Sequence, residues 1–299
     1  MTYITKPMLA ATYKNQMINF PVLATPKIDG IRALKINSVL VSRSFKSIIN
    51  NSIREHLESL LPDGADGEIL CGNSLYTTNS AVMTIQGELP PSLVFYWFDW
   101  VYDSTNVPYY ERVRLIKQHS LEHPSVIKLI PDTLHNMAEL DEYKSEALRK
   151  TRDRDAFEGI MLRKPDGRYK CGRSTISEML LVKIKPYLDS EAIVIGTEPL
   201  MHNDNEPTLD NFGNRKRASK QQHMVTKNIL GSIVARTKKG VVFKIGTGYT
   251  QEARAHLWES RCDIVGKLVK YRHMGSNKIA PRSPVFLSIR HPDDTSLYT

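Results

Sequence analysis

The chain has 299 residues, 41% of them apolar and 24% charged, which excludes a disordered polymer and suffices for about two domains of roughly 150 residues each. Its 41 Lys and Arg exceed its 32 Asp and Glu, and the net charge of +9 favours a polyanionic partner. Three widely spaced cysteines, Cys71, Cys171 and Cys262, form no paired metal motif and leave an odd thiol, as expected in a reducing compartment.

The N-terminal MTYITKPMLAATYK lacks the apolar core of a signal peptide, and no apolar run approaches the roughly 20 residues of a membrane span. The expectation is an intracellular protein that does not engage a membrane. VLATPKI and IRALKI then read as strands around Pro26-Lys27-Ile28-Asp29-Gly30-Ile31-Arg32. That string sets an amine, a carboxylate and a guanidinium about one bend. The amine suits attack on a phosphoryl centre, the acid can orient it or hold a metal, and the arginine can meet a ribose or phosphate. A solvated turn lysine fits the same short pattern. Ser42-Arg43 follow the apolar VLV and are suited to a phosphate contact or to plain surface.

SIINNSIREHLESLL has helical spacing and stops at Pro62 and Gly64. In Asp66-Gly67-Glu68 two acids share a face if the segment is extended. SLVFYWFDWV reads as a buried strand, with Phe98 either core or a platform for a purine. From Tyr110 to about Arg152 the pattern is charged and helical. His119 and His123 fall at i, i+4 on that helix, but no further ligand completes a zinc pattern, so they read as surface residues. EGIMLRK and MLLVKIK are two more strands. Glu158 opens the first and, with Glu68 and Asp29, offers oxygen ligands to a divalent cation, or else a surface turn. Lys183 and Lys185 share one face of the second, either on a half-exposed edge or lining a phosphate pocket. Because these strands do not alternate with helices, the expected class is α+β, with a mixed, largely antiparallel first domain.

Near residue 190 the character changes. Residues 1–189 carry 24 basic and 22 acidic side chains, net +2, whereas residues 190–299 carry 17 and 10, net +7. AIVIG, GSIVART, VVFKIG, GKLVKYRH and PVFLSIR are short strands, with a hairpin turn at Lys238-Lys239-Gly240 and one helix near Gln251 to Arg261. This spacing predicts a small β-barrel of the oligonucleotide-binding (OB) type. A polar insert at about residues 201–228 holds DNFGNRKRASK and reads as a long functional or disordered loop. No Walker loop, G-x-G-x-x-G or G-x-S-x-G occurs.

In order, KIDGIR, SRSFK, DGEI, FDWV, EGIMLR and LVKIK resemble the collinear motifs of the covalent nucleotidyltransferases. ITKPMLAAT, EGIMLRKPDGRYKCGRST, DNFG with its basic tail, VVFKIGTG and PVFLSIRH extend the resemblance to the minimal viral ATP-dependent DNA ligases nearly end to end. The resemblance implies a nucleotidyltransferase domain over residues 1–189, then an OB-fold domain over residues 190–299 whose insert clasps DNA like a latch. It implies ATP and Mg²⁺, with Mn²⁺ as a substitute, as cofactors. Nicked duplex DNA would be the partner, bound by a monomer with no obligate protein partner, in host cytoplasm or nucleus if viral.

By that resemblance Lys27 takes AMP, Asp29 assists later steps, and Lys183 and Lys185 hold the α-phosphate. Backbone at Thr25 reads the base edge, Glu68 the ribose, and Phe98 stacks on adenine. Glu68, Glu158 and Asp29 hold the metal. Arg32, Ser42, Arg43 and Arg173 meet the nick, and Arg215, Lys216, Arg217 and Lys220 the duplex. Arg282, Arg290 and Asp294 act at pyrophosphate departure on domain closure, with Arg282 reaching the nucleotide; Ser283 there replaces a common aromatic. RNA ligase and capping guanylyltransferase share the lysine motif. A non-catalytic OB-type nucleic-acid-binding protein is the reading from another class.

Overall fold

The computed structural model describes residues 4–13, 17–102, 104–153, 157–185, 187–218, 224–274 and 280–290. The chain divides into two compact units, Met1–Lys185 and Pro186–Thr299.

The first unit runs β1 (Ala11–Thr12), β2 (Val22–Ile28), β3 (Ile31–Ile36), β4 (Val39–Ser42), α1 (Asn51–Leu60), β5 (Ala65–Cys71), α2 (Leu75–Met83), β6 (Leu93–Trp100) and α3 (Tyr109–Gln118). It continues with β7 (Val126–Lys128), β8 (Asp132–Leu134), α4 (Met137–Asp153), β9 (Phe157–Arg163) and β10 (Val182–Ile184). The strands form two five-stranded sheets, ordered β1-β10-β9-β2-β8 and β4-β3-β5-β6-β7. Each has one parallel pair, β1 with β10 and β6 with β7; all others are antiparallel.

β2 and β3 are therefore not a hairpin. The Lys27–Arg32 bend is the crossover from one sheet to the other, and it runs so close to β5 that a Cβ on Gly30 would lie 2.2 Å from the Ile69 carbonyl oxygen. Glycine is required there by space.

Each sheet buries one apolar face. α1 starts where Asn50 Oδ1 accepts the Ile53 N–H at 2.9 Å, and its fully buried Ile53 and Leu57 join Leu40, Ile69, Phe95 and Trp97. Each such side chain contributes about 1.5–3 kcal/mol. Val22, Ala24, Ile160, Leu162 and Val182 form the second core. A third cluster, with Met8, Leu34, Tyr169 and Leu181, draws on both sheets.

The helical stretch expected from Tyr110 to Arg152 is two helices with β7 and β8 between them. Pro124 and Pro131 interrupt the backbone hydrogen bonding there. His119 and His123 consequently share no helix. His119 caps α3 and packs edge-on against Trp97 and Trp100, while His123 packs against His56.

The second unit runs β11 (Leu188–Asn203), β12 (Pro207–Leu209), β13 (Arg215–Arg217), β14 (Met224–Arg236), β15 (Val242–Ile245), α5 (Gln251–Glu259), β16 (Leu268–His273) and β17 (Val285–Ile289). One antiparallel sheet, ordered β15-β14-β11-β16-β17, wraps around Val194, Ile233, Ile245, Leu257 and Val269. Beyond β15, the Thr247 carbonyl accepts the Phe286 N–H of β17 at 2.8 Å, which brings the sheet's edges together as a barrel requires. Gly240, at φ +80°, makes the predicted hairpin turn.

The insert is more regular than its composition suggests. β11 and β14 stay paired out to Asn203 and Met224, and β12 pairs with β13 beyond them. A ladder between polar strands satisfies the backbone without a core, so apolar periodicity does not reveal it. Among the described residues, no helix is long and apolar enough to cross a membrane.

Candidate active site

Lys27 lies near the end of β2, opposite a bulge in β9. Pro26 pairs with Ile160 and Ile28 with Phe157, so Glu158 and Gly159 together oppose the one residue Lys27. Gly159 adopts φ +135°, a conformation closed to side-chain-bearing residues. The bulge sets Glu158 against Lys27, and the two form an ion pair. The other Glu158 oxygen accepts from Lys185 Nζ at 2.8 Å. Burial pushes the Glu158 carboxyl up, but Lys27 and Lys185 outweigh it and hold the group below its ordinary range. Lys183 is held below the ordinary lysine range, first by burial and then by Lys185, Lys27 and Arg173, with Glu158 opposing.

Next to Lys27 opens a cavity of about 200 Å³. Thr25, Arg32, Arg43, Glu68, Phe98, Arg163, Arg173 and Lys183 line it, with Leu129, Met161 and Leu181. The structure thus gathers seven of the site residues expected from sequence around Lys27, from five strands and two loops.

Arg32 is fully engaged by protein. Its Nε and Nη2 donate to Asp66 at 2.8 and 2.6 Å, and Nη1 donates to the Met8 carbonyl. Tyr169 Oη donates to Asp66 at 2.9 Å and accepts the Met8 N–H. Asp66 is completely buried, and this pairing is what permits it. Glu68, two residues on and opposite Arg32 in register, faces the same way as Asp66.

Burial raises the Glu68 carboxyl to about 7, despite Lys27 and Arg32. A carboxyl raised in the folded state adds stability that is complete below its unfolded value, 4.5, and lost as pH rises through about 7. Glu68→Gln stays neutral throughout, so its stability relative to the parent should rise by roughly 1–2 kcal/mol between pH 4.5 and pH 8, allowing for the partial exposure of the carboxyl. Urea unfolding at both pH values measures this; a pH-independent difference would contradict it.

Phe98 sits on a second bulge. Asp66 pairs with Asp99 and Gly67 with Trp97, which leaves Phe98 as the extra residue of β6. Asp99 behind it is completely buried. It accepts from Arg112 Nε at 2.6 Å and from Nη2 at 3.3 Å, and pairs with Arg163. Burial would raise its carboxyl, but the two arginines hold it at about 2. Sequence reading passed over Asp99, Arg112 and Arg163. The signal available was an acid inside an apolar run, which must have a buried partner; no local pattern names that partner.

Other expected residues fall elsewhere. Asp29 is buried and does not line the cavity. Ser42 donates to the Lys46 carbonyl at 3.0 Å beside the cavity-lining Arg43. Arg173 lines the cavity and donates to the Ala10 carbonyl. Among the described residues no three His, Cys, Asp or Glu side chains are grouped to hold a metal ion. Glu158 is engaged by two lysines, and Asp29 is sequestered in the crossover.

In the second unit Arg215, Lys216 and Arg217 are exposed along β13, and Arg217 donates to the Asn205 carbonyl. Arg290 pairs with Glu191 at 2.6 Å, and Ser283 after Arg282 has φ +49°. Lys220 and Asp294 lie outside the described residues.

Residues 223–290 match the family described as DNA ligase OB-like domain. A crystal structure of Chlorella virus DNA ligase-adenylate is 39% identical over 96% of this chain and 100% of its own, with a TM-score of 0.56. A second crystal structure of that adenylate is 40% identical over 96% and 99%, with a TM-score of 0.57. A Lig E DNA ligase is 24% identical over 96% and 100%, with a TM-score of 0.70, a likeness of fold. No curated protein matches.

Proposed function

Because the chain belongs to the ATP-dependent DNA ligases, we propose that Lys27 takes AMP from ATP and that the protein seals 3′-OH/5′-phosphate nicks in duplex DNA. The observation that carries the reading is the surplus of cations about Glu158. Lys27 and Lys185 pair with that one carboxylate, and Lys183 stands within the field of both lysines and of Arg173, beside a cavity with an aromatic wall. Phosphoryl transfer is chiefly positioning and charge stabilisation, so such a surplus suits a triphosphate.

The deprotonated Lys27 amine attacks the α-phosphorus. An N–P bond forms, the α–β P–O bond breaks, and pyrophosphate leaves. Glu158 orients the amine, and Lys183 and Lys185 draw in the α-phosphate oxygens. Phe98 stacks on adenine, Glu68 meets the ribose, and backbone at Thr25 reads the base edge. Next a 5′-phosphate oxygen attacks the adenylate, releasing Lys27, with Asp29 assisting. Finally the 3′-hydroxyl attacks that 5′-phosphate and AMP leaves. Ser42, Arg43 and Arg173 hold the nick; Arg32, anchored by Asp66, reaches it only after rearrangement. Glu68 and Glu158 fit Mg²⁺ or Mn²⁺ as a hard-oxygen pair whose remaining ligands are phosphate and water. The bound ion would neutralise phosphate charge.

Residues 1–189 act as the adenylyltransferase and 190–299 as the OB domain, whose basic insert with Arg215, Lys216, Arg217 and Lys220 clasps the duplex. Arg282, Arg290 and Asp294 serve at pyrophosphate departure. One monomer suffices for one nick.

Incubation with Mg²⁺ and α-labelled ATP or GTP tests this. Label should pass from ATP alone to Lys27, then to a nicked duplex more readily than to nicked RNA. Labelling from GTP alone would mean capping chemistry, and no label from either would mean a binding module.

A further inference from the structure

Phe98 owes its position to a bulge. A bulged residue makes no pair across the ladder, so its aim depends on whatever holds the bulge itself. Tyr109 Oη donates to the Phe98 carbonyl at 3.1 Å. Trp97 Nε1 donates to the Asp99 carbonyl at 2.8 Å, and the Asp99 carboxylate accepts the Trp100 N–H at 2.9 Å. That carboxylate is itself tied to Arg112 and Arg163. The Arg163 guanidinium carbon stands 5.6 Å from the centre of the Phe98 ring and 4.3 Å from that of Tyr109, within cation–π range of both. The Arg32 guanidinium carbon, anchored by Asp66, stands 5.6 Å from the Phe98 ring as well. Two buried aspartates, opposite each other across β5 and β6, thus each anchor a guanidinium against one aromatic ring.

We propose that Tyr109 and Arg163, anchored by Asp99, are positioning residues that fix the Phe98 ring as the platform for the nucleotide base. This rests on the reading of Phe98 as the base's stacking partner. The geometry separates platform from phosphate machinery. Lys27 from β2 and Lys185 from just beyond β10 meet Glu158 at the start of β9, whereas the Asp99 cluster ties β6 and α3 to Arg163 at the far end of β9. Loosening the platform should therefore weaken the hold on the base and leave the hold on the phosphates intact.

The test uses the full chain with Tyr109→Phe and Arg163→Lys. Lysyl-AMP formation is followed against ATP concentration, with inorganic tripolyphosphate, which has no base, as competitor. Arg163→Lys is expected to raise KM for ATP about tenfold with kcat within about threefold. Tyr109→Phe, which loses one hydrogen bond, should raise it about fivefold. Inhibition by tripolyphosphate should stay within about twofold of the parent in both. A merely structural role would lower the melting temperature and the active fraction with KM unchanged, and that result in both folded variants overturns the proposal. Equal weakening toward ATP and tripolyphosphate also overturns it, since Arg163 would then be holding phosphate. Failure of the unaltered protein to form lysyl-AMP would instead sink the underlying reading.

Discussion

Lys27→Ala is expected to abolish lysyl-AMP formation, a loss of at least about a thousandfold, while the fold survives. An absent nucleophile has no substitute in place: Lys183 on β10 and Lys185 just beyond it lie across β9 from β2. Survival of the fold follows from the charge balance. Lys27 is 21% exposed, and removing it leaves Glu158 still paired with Lys185 at 2.8 Å, so no buried carboxylate is stranded. Gel labelling with α-labelled ATP and a circular dichroism melt are the two measurements. The same variant should still close a nick that already carries DNA-adenylate, because that step does not use the lysine. Persistent label on the alanine variant would move the nucleophile elsewhere.

Asp99→Ala should cost roughly 3–5 kcal/mol, enough to unfold a marginal protein. The substitution strands Arg112 and Arg163, whose side chains are only 1% and 5% exposed, beside Tyr109. The pH dependence has a definite sign. Asp99 is depressed to about 2 from an ordinary 3.8, so its contribution is present above 3.8 and lost as pH falls through about 2. Acid unfolding of the parent should show that loss, and the alanine variant should not. Urea unfolding at neutral pH decides the magnitude. A cost below about 1 kcal/mol would mean that water reaches the two guanidinium groups and that the cluster is not the anchor described above.

Much of the molecule was legible in one dimension. VLATPKI, IRALKI, SLVFYWFDWV and EGIMLRK became β2, β3, β6 and β9 within a residue or two, because dense apolar and β-branched runs have few other uses. The α5 helix and the Gly240 hairpin also lay where local signals put them. The helix expected between Tyr110 and Arg152 failed where two prolines outranked a charged, loosely periodic pattern. The insert's strands were missed because a polar ribbon is held by backbone pairing alone, which leaves no mark in side-chain periodicity.

By itself the sequence determined the chemical inventory: a lysine in KIDGIR, acids at spacing two, two lysines on one face of a strand, an aromatic before an acid, and a basic last third. Those depend on residue type and short spacing, which a linear reading retains. Only the tertiary structure decided that the lysine's bend crosses between sheets and that bulges aim Glu158 and Phe98. It also decided that Arg32, Arg112 and Arg163 answer to buried aspartates. The reason is physical. A bulge is a mismatch between two strands, and the buried pair of Asp99 with Arg163 joins residues 64 positions apart, so neither exists in any one segment until the sheets have formed.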